Sequence, residues 1–297
     1  MLKYEDLLEE MDKFSAYGCE TGVVGESELG QRIPYVFLGK NKQNALIAQG
    51  AIHGREHITA LLVICMAKHL LKNTSLPLLG GIYFIPMVNP DGVRLCQEGV
   101  DWIANKKIRE EVLALNKEDY DFTFWKANAR GVDLNVNFDA GWGSGKQNVF
   151  FAGGENFVGK KPESERESHA LANFTRAVKP LCTLSYHTKG EVIYWRYNQR
   201  GTKLWQHYRL AKALSEQTGY ELVDNMGSAG GYKDWCICKL DIPSFTVEVG
   251  RDDIAHPYPY SRIRELAALH EDIPRRLVNT LVRQKEKRDK KQLKQFD

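Results

Sequence analysis

The chain is short of several things, and each shortage excludes a class of protein. No run of about 18 or more residues is apolar enough for a membrane span, so membrane insertion is not expected. The opening stretch, residues 1–10, is charged and amphipathic and lacks the apolar segment of a signal peptide, so a cytoplasmic location is expected. Only six cysteines occur in 297 residues, scattered at Cys19, Cys65, Cys96, Cys182, Cys236 and Cys238 and several within apolar runs. That pattern argues for buried free thiols rather than a disulfide framework. Cys236 and Cys238 stand too close to make a zinc pair. No stretch rich in Pro, Gly and Ser divides the chain, and no internal repeat is evident. Strong net charge is missing too: the formal charge is +3, and residues 274–297 alone, with nine Lys/Arg against three Asp/Glu, carry +6. This basic tail lacks interleaved aromatics and reads as a solvated helix end, so no nucleic-acid partner is expected.

What is present is enough apolar material, 43% of residues, for one large core. Strand-like runs recur at 35–38, 45–52, 82–88, 183–187, 192–197 and 244–249. Helix-like runs lie at 56–72, 163–178 and 203–218, the last stopped by Gly219, with two more at 262–272 and 275–291. The alternation predicts an α/β fold, a three-layer α/β/α sandwich with a central mixed, mostly parallel sheet. Residues 1–297 are read as a single domain with a basic helical C-terminal extension at about 274–297. Oligomeric state is not legible.

His53-Gly54-Arg55-Glu56 lies where an apolar strand-like run gives way to a helix-like one. An imidazole and a carboxylate three residues apart can converge on one Zn2+. His57 extends the string to His-x-x-Glu-His, which binds metal through both histidines when it lies inside one helix. The run 45–52 before it, with Gly50, reads as a buried strand, so His53 is placed on a strand-to-helix loop, Glu56 at the helix start, and His57 facing away. His187 closes another strand-like run before a polar turn and is the natural third ligand. Glu248 alternates with Phe245, Val247 and Val249 in a strand-like run, where a carboxylate is costly unless paired or at work. In open α/β sheets functional groups gather beyond strand ends, and His53, His187 and Glu248 all fall there.

In this order the motifs resemble the zinc carboxypeptidases of the carboxypeptidase A and T type. The match runs from residues 25–31 through the His-x-x-Glu pair, Asn89-Pro90-Asp91-Gly92, Gly131-Val132-Asp133-Leu134-Asn135, His187, Gly230-Gly231, Asp234-Trp235 and Glu248. The resemblance implies one zinc ion on His53, Glu56 and His187, with Glu248 as general acid/base, taking a proton from water and returning it to the leaving nitrogen. A cation is needed for the oxyanion. Arg130 is the choice, with Lys126 as substitute; a loop arginine paired to a surface acid is the plainer reading of Arg130.

Two positions depart from that family. Its terminal-carboxylate clamp is an asparagine followed by an arginine; here Asn135 is followed by Val136, which makes no bidentate contact. A relocated clamp at Arg196 or Arg200 is the alternative. The family's substrate-capping tyrosine falls on Met226, with Tyr232 nearby, and its side-chain pocket floor on Lys233. A lysine there favours a substrate side chain bearing a carboxylate, or else is a solvated helix lysine. These features, with the segment 188–195, resemble the bacterial γ-D-glutamyl-meso-diaminopimelate peptidases. The expectation is a zinc metallopeptidase acting on a peptide or muropeptide substrate, with Asn135, Lys233 and Tyr232 binding it and Glu191 or another acid receiving the distal ammonium. The alternatives are a metallocarboxypeptidase trimming acidic C-terminal residues, an amidohydrolase of N-acyl amino acids, and a non-catalytic peptide or muropeptide binder. The segment 230–235 favours peptides over small acyl amino acids, and complete ligands with Glu248 argue against a relic.

Overall fold

The computed structural model describes residues 1–224 and 227–293, with side chains to residue 290. In chain order its elements are α1 (Tyr4–Ala16), β1 (Glu20–Glu26), β2 (Arg32–Gly39), β3 (Ala45–Gln49), α2 (Ile58–Lys72), β4 (Gly81–Ile85), α3 (Pro90–Glu98) and α4 (Lys106–Leu115). There follow α5 (Arg166–Val178), β5 (Cys182–His187), β6 (Val192–Tyr194), α6 (Gly201–Thr218), β7 (Glu221–Val223), α7 (Tyr232–Leu240), β8 (Ser244–Glu248), α8 (Ile263–His270) and α9 (Ile273–Leu293).

Eight strands form one mixed sheet in the order β1-β2-β4-β3-β5-β8-β6-β7. The centre, β4-β3-β5-β8, is parallel, while β2 and β6 join it antiparallel on either side. Every residue of β3, β4 and β5 is buried, as parallel strands covered on both faces require. Alternation divides their side chains between two cores. Leu46, Ala48, Leu184, Tyr186, Phe245 and Val247 join one apolar cluster with Leu62 and Met66 of α2, Leu266 of α8 and Leu277 and Val278 of α9. Ala45, Ile47, Tyr83 and Ile85 join the other, with Leu171 of α5 and Tyr232 and Trp235 of α7. This is the expected three-layer α/β sandwich.

The elements with no clear sequence signal have physical reasons for silence. Strand β1 carries Gly22 and Gly25 and no fully buried residue, β7 is three residues at a sheet edge, and α7 is buried through its first six residues, so it has no amphipathic stripe. The strand-like runs 45–52 and 82–88 outlast β3 and β4, because their last residues turn into loops that stay paired: Val88 N donates to Gly50 O at 3.1 Å and Asn89 N to Ala51 O at 3.0 Å. Helix α9 begins with its buried Leu277, Val278, Leu281 and Val282 packed on the sheet before its basic half leaves the core. Among the described residues no helix is long and apolar enough to cross a membrane.

Candidate active site

The three expected metal ligands meet at the carboxyl ends of β3 and β5. His53 lies on the loop after β3, and Glu56 sits in a single 3-10 turn, Gly54–Glu56, one step before α2 rather than in α2 itself. His187 is the last residue of β5. Nδ1 of His53 is 2.8 Å from Glu56 Oε1, and Nδ1 of His187 is 3.0 Å from Glu56 Oε2 and 3.2 Å from His53 Nδ1. All three residues are buried, and their ligand atoms lie within 4.8 Å of one another. Two imidazole nitrogens and a carboxylate that line one cleft suit zinc.

The loop between the ligands is held by its neighbours. A side chain on Gly54 would stand 2.4 Å from Gly92 O and 2.8 Å from Trp125 O, so only glycine fits between the two ligands. Asn89 explains its place in the Asn-Pro-Asp-Gly string. Its Oδ1 caps α3 through Gly92 N at 2.9 Å, while its Nδ2 donates to Ile52 O and Ala127 O. One side chain thus ties the ligand loop to the loop carrying Lys126.

Asp133 is the chief residue here that sequence reasoning did not assign a role. Its Oδ1 accepts from His53 Nε2 at 3.2 Å and its Oδ2 lies 2.7 Å from Lys126 Nζ. The histidine is thereby fixed with Nδ1 as the free donor atom for metal. Burial opposes ionisation of Asp133, but Lys126 and His53 outweigh it and hold the carboxyl well below its usual range. Glu56 behaves alike, burial being overcome by the two histidines. His187 has no such support: its Nε2, the Gln49 amide and Ser185 Oγ are buried with no hydrogen-bond partner among the described residues. Gln49 and Ser185 are register partners across β3 and β5, and Ser185 shares a face with His187.

Glu248 ends β8 directly beside His187 in the parallel register and lines the same cleft of about 640 Å³. Burial raises its pKa, Glu56 adds to this, and His187 and Lys126 oppose it; the result is about 7. His57 points elsewhere and stacks on Tyr260 at 5.1 Å.

The other expected residues divide. Asn135 and Lys233 line the cleft. Lys233 is not a solvated helix lysine; only 5% exposed, it is ion-paired to Asp234 and donates to Arg196 O at 3.1 Å. Arg130 is a correction. It stands outside the cleft, half exposed, 3.6 Å from Glu28 and 3.7 Å from Glu165, because Asn128 Oδ1 takes the amides of Arg130 and Val132 and closes a turn that aims the side chain away. Lys126, the substitute, faces the cleft. Tyr232 is corrected as well: it is wholly buried, its hydroxyl 2.8 Å from Thr175 Oγ1, and so faces the core. Its amide does hold Asn135 Oδ1 at 3.1 Å. Arg196 is bound to Asp224 and Arg200 precedes α6, neither lining the cleft. Met226 lies outside the described residues. Tyr194 and His256 also line the cleft; their strand and loop positions gave no signal.

A family model described as zinc carboxypeptidase matches residues 4–270. Gamma-D-glutamyl-L-diamino acid endopeptidase 1 of Lysinibacillus sphaericus is 32% identical over 251 residues, 80% of this chain but 62% of that protein, so this chain spans less than two thirds of that relative. Murein peptide amidase A of Escherichia coli (strain K12) is 28% identical over 232 residues, covering 74% of this chain and 78% of its own. Among solved structures, bovine thrombin-activatable fibrinolysis inhibitor superposes with a TM-score of 0.79 at 20% identity, covering 95% of this chain and 97% of its own, a likeness of fold.

Proposed function

Because the chain belongs to the zinc carboxypeptidase family, we propose that this member hydrolyses peptidoglycan stem peptides at the bond between γ-D-Glu and meso-diaminopimelate. The observation that carries this reading is the Lys233–Asp234 ion pair in the cleft wall that also holds the metal ligands. A buried pair of opposite charges matches a leaving residue whose side chain ends in both an ammonium and a carboxylate, the two pairs exchanging partners as the substrate docks. A lysine standing alone would favour acidic C-terminal residues instead; here Asp234 answers it. The relative whose name specifies a γ-D-glutamyl-L-diamino acid bond supports the same substrate class. All six cysteines are free, in keeping with a reducing compartment.

His53, Glu56 and His187 would hold the zinc, which would supply positive charge to polarise the scissile carbonyl and acidify water. The chain's own groups do the rest. Glu248 accepts the proton of the attacking water and returns it to the departing nitrogen, as the carbon–nitrogen bond breaks and a carboxylate and an amine form. Lys126 offers the cleft a cation for the oxyanion, and Asn135 orients the leaving residue.

Incubating the zinc-loaded protein with L-Ala-γ-D-Glu-meso-diaminopimelate and following free diaminopimelate by mass spectrometry tests the reading. Release is expected. No release, from protein shown to hold zinc, would sink it, and trimming of acidic C-terminal peptides instead would establish the conventional carboxypeptidase.

A further inference from the structure

We propose that Lys146 is the residue that binds the α-carboxylate of the leaving amino acid, in a chain where Val136 cannot. The inference rests on the function proposed above and names a specificity residue within it.

The cations of the cleft are nearly all answered. Arg55 lies 3.1 Å from Glu155, Lys126 lies 2.7 Å from Asp133, and Lys233 is bound to Asp234. Lys146 faces the same cleft with no ion pair to any acid among the described residues. Among the described residues the other charge in the wall without an ion pair is Glu248, the proposed base. A substrate that carries a carboxylate next to the scissile nitrogen brings the charge that Lys146 lacks.

Its position is set by a built turn. Gly145 N donates to Asn148 Oδ1 at 2.7 Å and Asn148 N to Gly145 O at 3.1 Å, closing residues 145–148 on themselves. Ser144 caps the preceding bend through Gly141 O, and Lys146 N donates to Gly227 O at 3.3 Å, tying the turn to another stretch that lines the cleft. Asn135 and Val136 line the same cleft as this turn. Val136 is itself pinned: a side chain on Gly230 would stand 2.5 Å from Val136 O, and Gly230 has φ +80°. The backbone at 136 is therefore held in place, and the flexible lysine stem supplies the reach that the short valine side chain lacks.

The test compares the tripeptide with its analogue amidated at the diaminopimelate α-carboxyl, which removes the charge and keeps the size. The wild type is expected to prefer the free acid by about tenfold or more in kcat/KM, carried mainly by KM, the worth of one charged hydrogen bond. K146M is expected to lose that preference by slowing on the acid alone, and V136R placed in the K146M background to restore it. Hydrolysis of the acid by K146M with the preference intact overturns the proposal. If the wild type cleaves neither tripeptide, the proposed function has failed separately. The same acid-against-amide comparison on whichever peptide the enzyme does cleave then decides Lys146. The residue is exposed, so the variant is not expected to disturb folding.

Discussion

Oδ2 of Asp133 binds Lys126 at 2.7 Å, while Oδ1 of the same carboxylate holds His53 Nε2. One buried carboxylate therefore sets the tautomer of His53 and positions a cation that lines the cleft. Asp133→Asn removes the charge and keeps the shape, so zinc affinity measured by chelator competition is expected to fall by about 10- to 100-fold. An unchanged affinity would mean that the loop alone orients His53.

Lys126 and Arg130 are four residues apart and differ in where their turn sends them. Lys126→Met is expected to lower kcat by roughly 10²–10³ if it meets the oxyanion, with zinc retained. Arg130→Met, whose ion pairs are long and partly solvated, is expected to leave kcat within about threefold. Steady-state kinetics of the two variants side by side settle the assignment, and the reverse order would restore Arg130.

Glu248→Gln is expected to hold zinc and lose at least about a hundredfold in rate, the lower end for general-base removal. The proposed role of a general base requires its carboxylate form. Burial raises its pKa to about 7, and the charge of bound zinc draws that value down. The rate should thus fall as pH drops below neutrality, with an acid limb in kcat/KM at or below 7. A flat profile down to pH 4 contradicts the role.

Gln49, Ser185 and the outer nitrogen of His187 share one buried face. Among the described residues Gln49 makes no hydrogen bond to His187, so Gln49→Leu, which removes a buried polar group without a partner, is expected to keep zinc affinity within about threefold and to hold or raise stability. Chelator competition and denaturant unfolding check this, and a tenfold loss of zinc affinity would show that Gln49 supports His187 after all.

Glu167 supplies a pH test away from the site. Burial, reinforced by Asp91, raises its pKa to about 8. Between the usual carboxyl range and pH 8 the folded chain holds a proton that the unfolded chain releases. Stability from this group is therefore fully present below the usual carboxyl range and lost progressively as pH rises from there to about 8, with a ceiling of roughly 5 kcal/mol over the whole window by linkage, of which about half falls above pH 6. Denaturant unfolding at pH 6 and pH 9 should show the loss in the wild type and a flatter response in Glu167→Gln. Equal pH slopes in the two proteins would count against a protonated Glu167.

The sequence alone determined the outline of the metal triad and of the sheet that carries it. His53, His187 and Glu248 end apolar runs whose burial is written in their composition, and a carboxylate that ends such a run advertises its function through its cost. Strands that are buried on both faces and helices with an apolar stripe likewise announce themselves locally. What only the tertiary structure decided were relations between residues distant in the chain or governed by a turn. Nothing local tells that Asn128 closes a turn and sends Arg130 outward, that Asp133 reaches back 80 residues to His53, or that Tyr232 faces the core while Lys233 beside it faces the cleft. Direction is fixed by hydrogen bonds and packing across the fold, and for charged side chains direction separates a group that meets substrate from one that meets its neighbour.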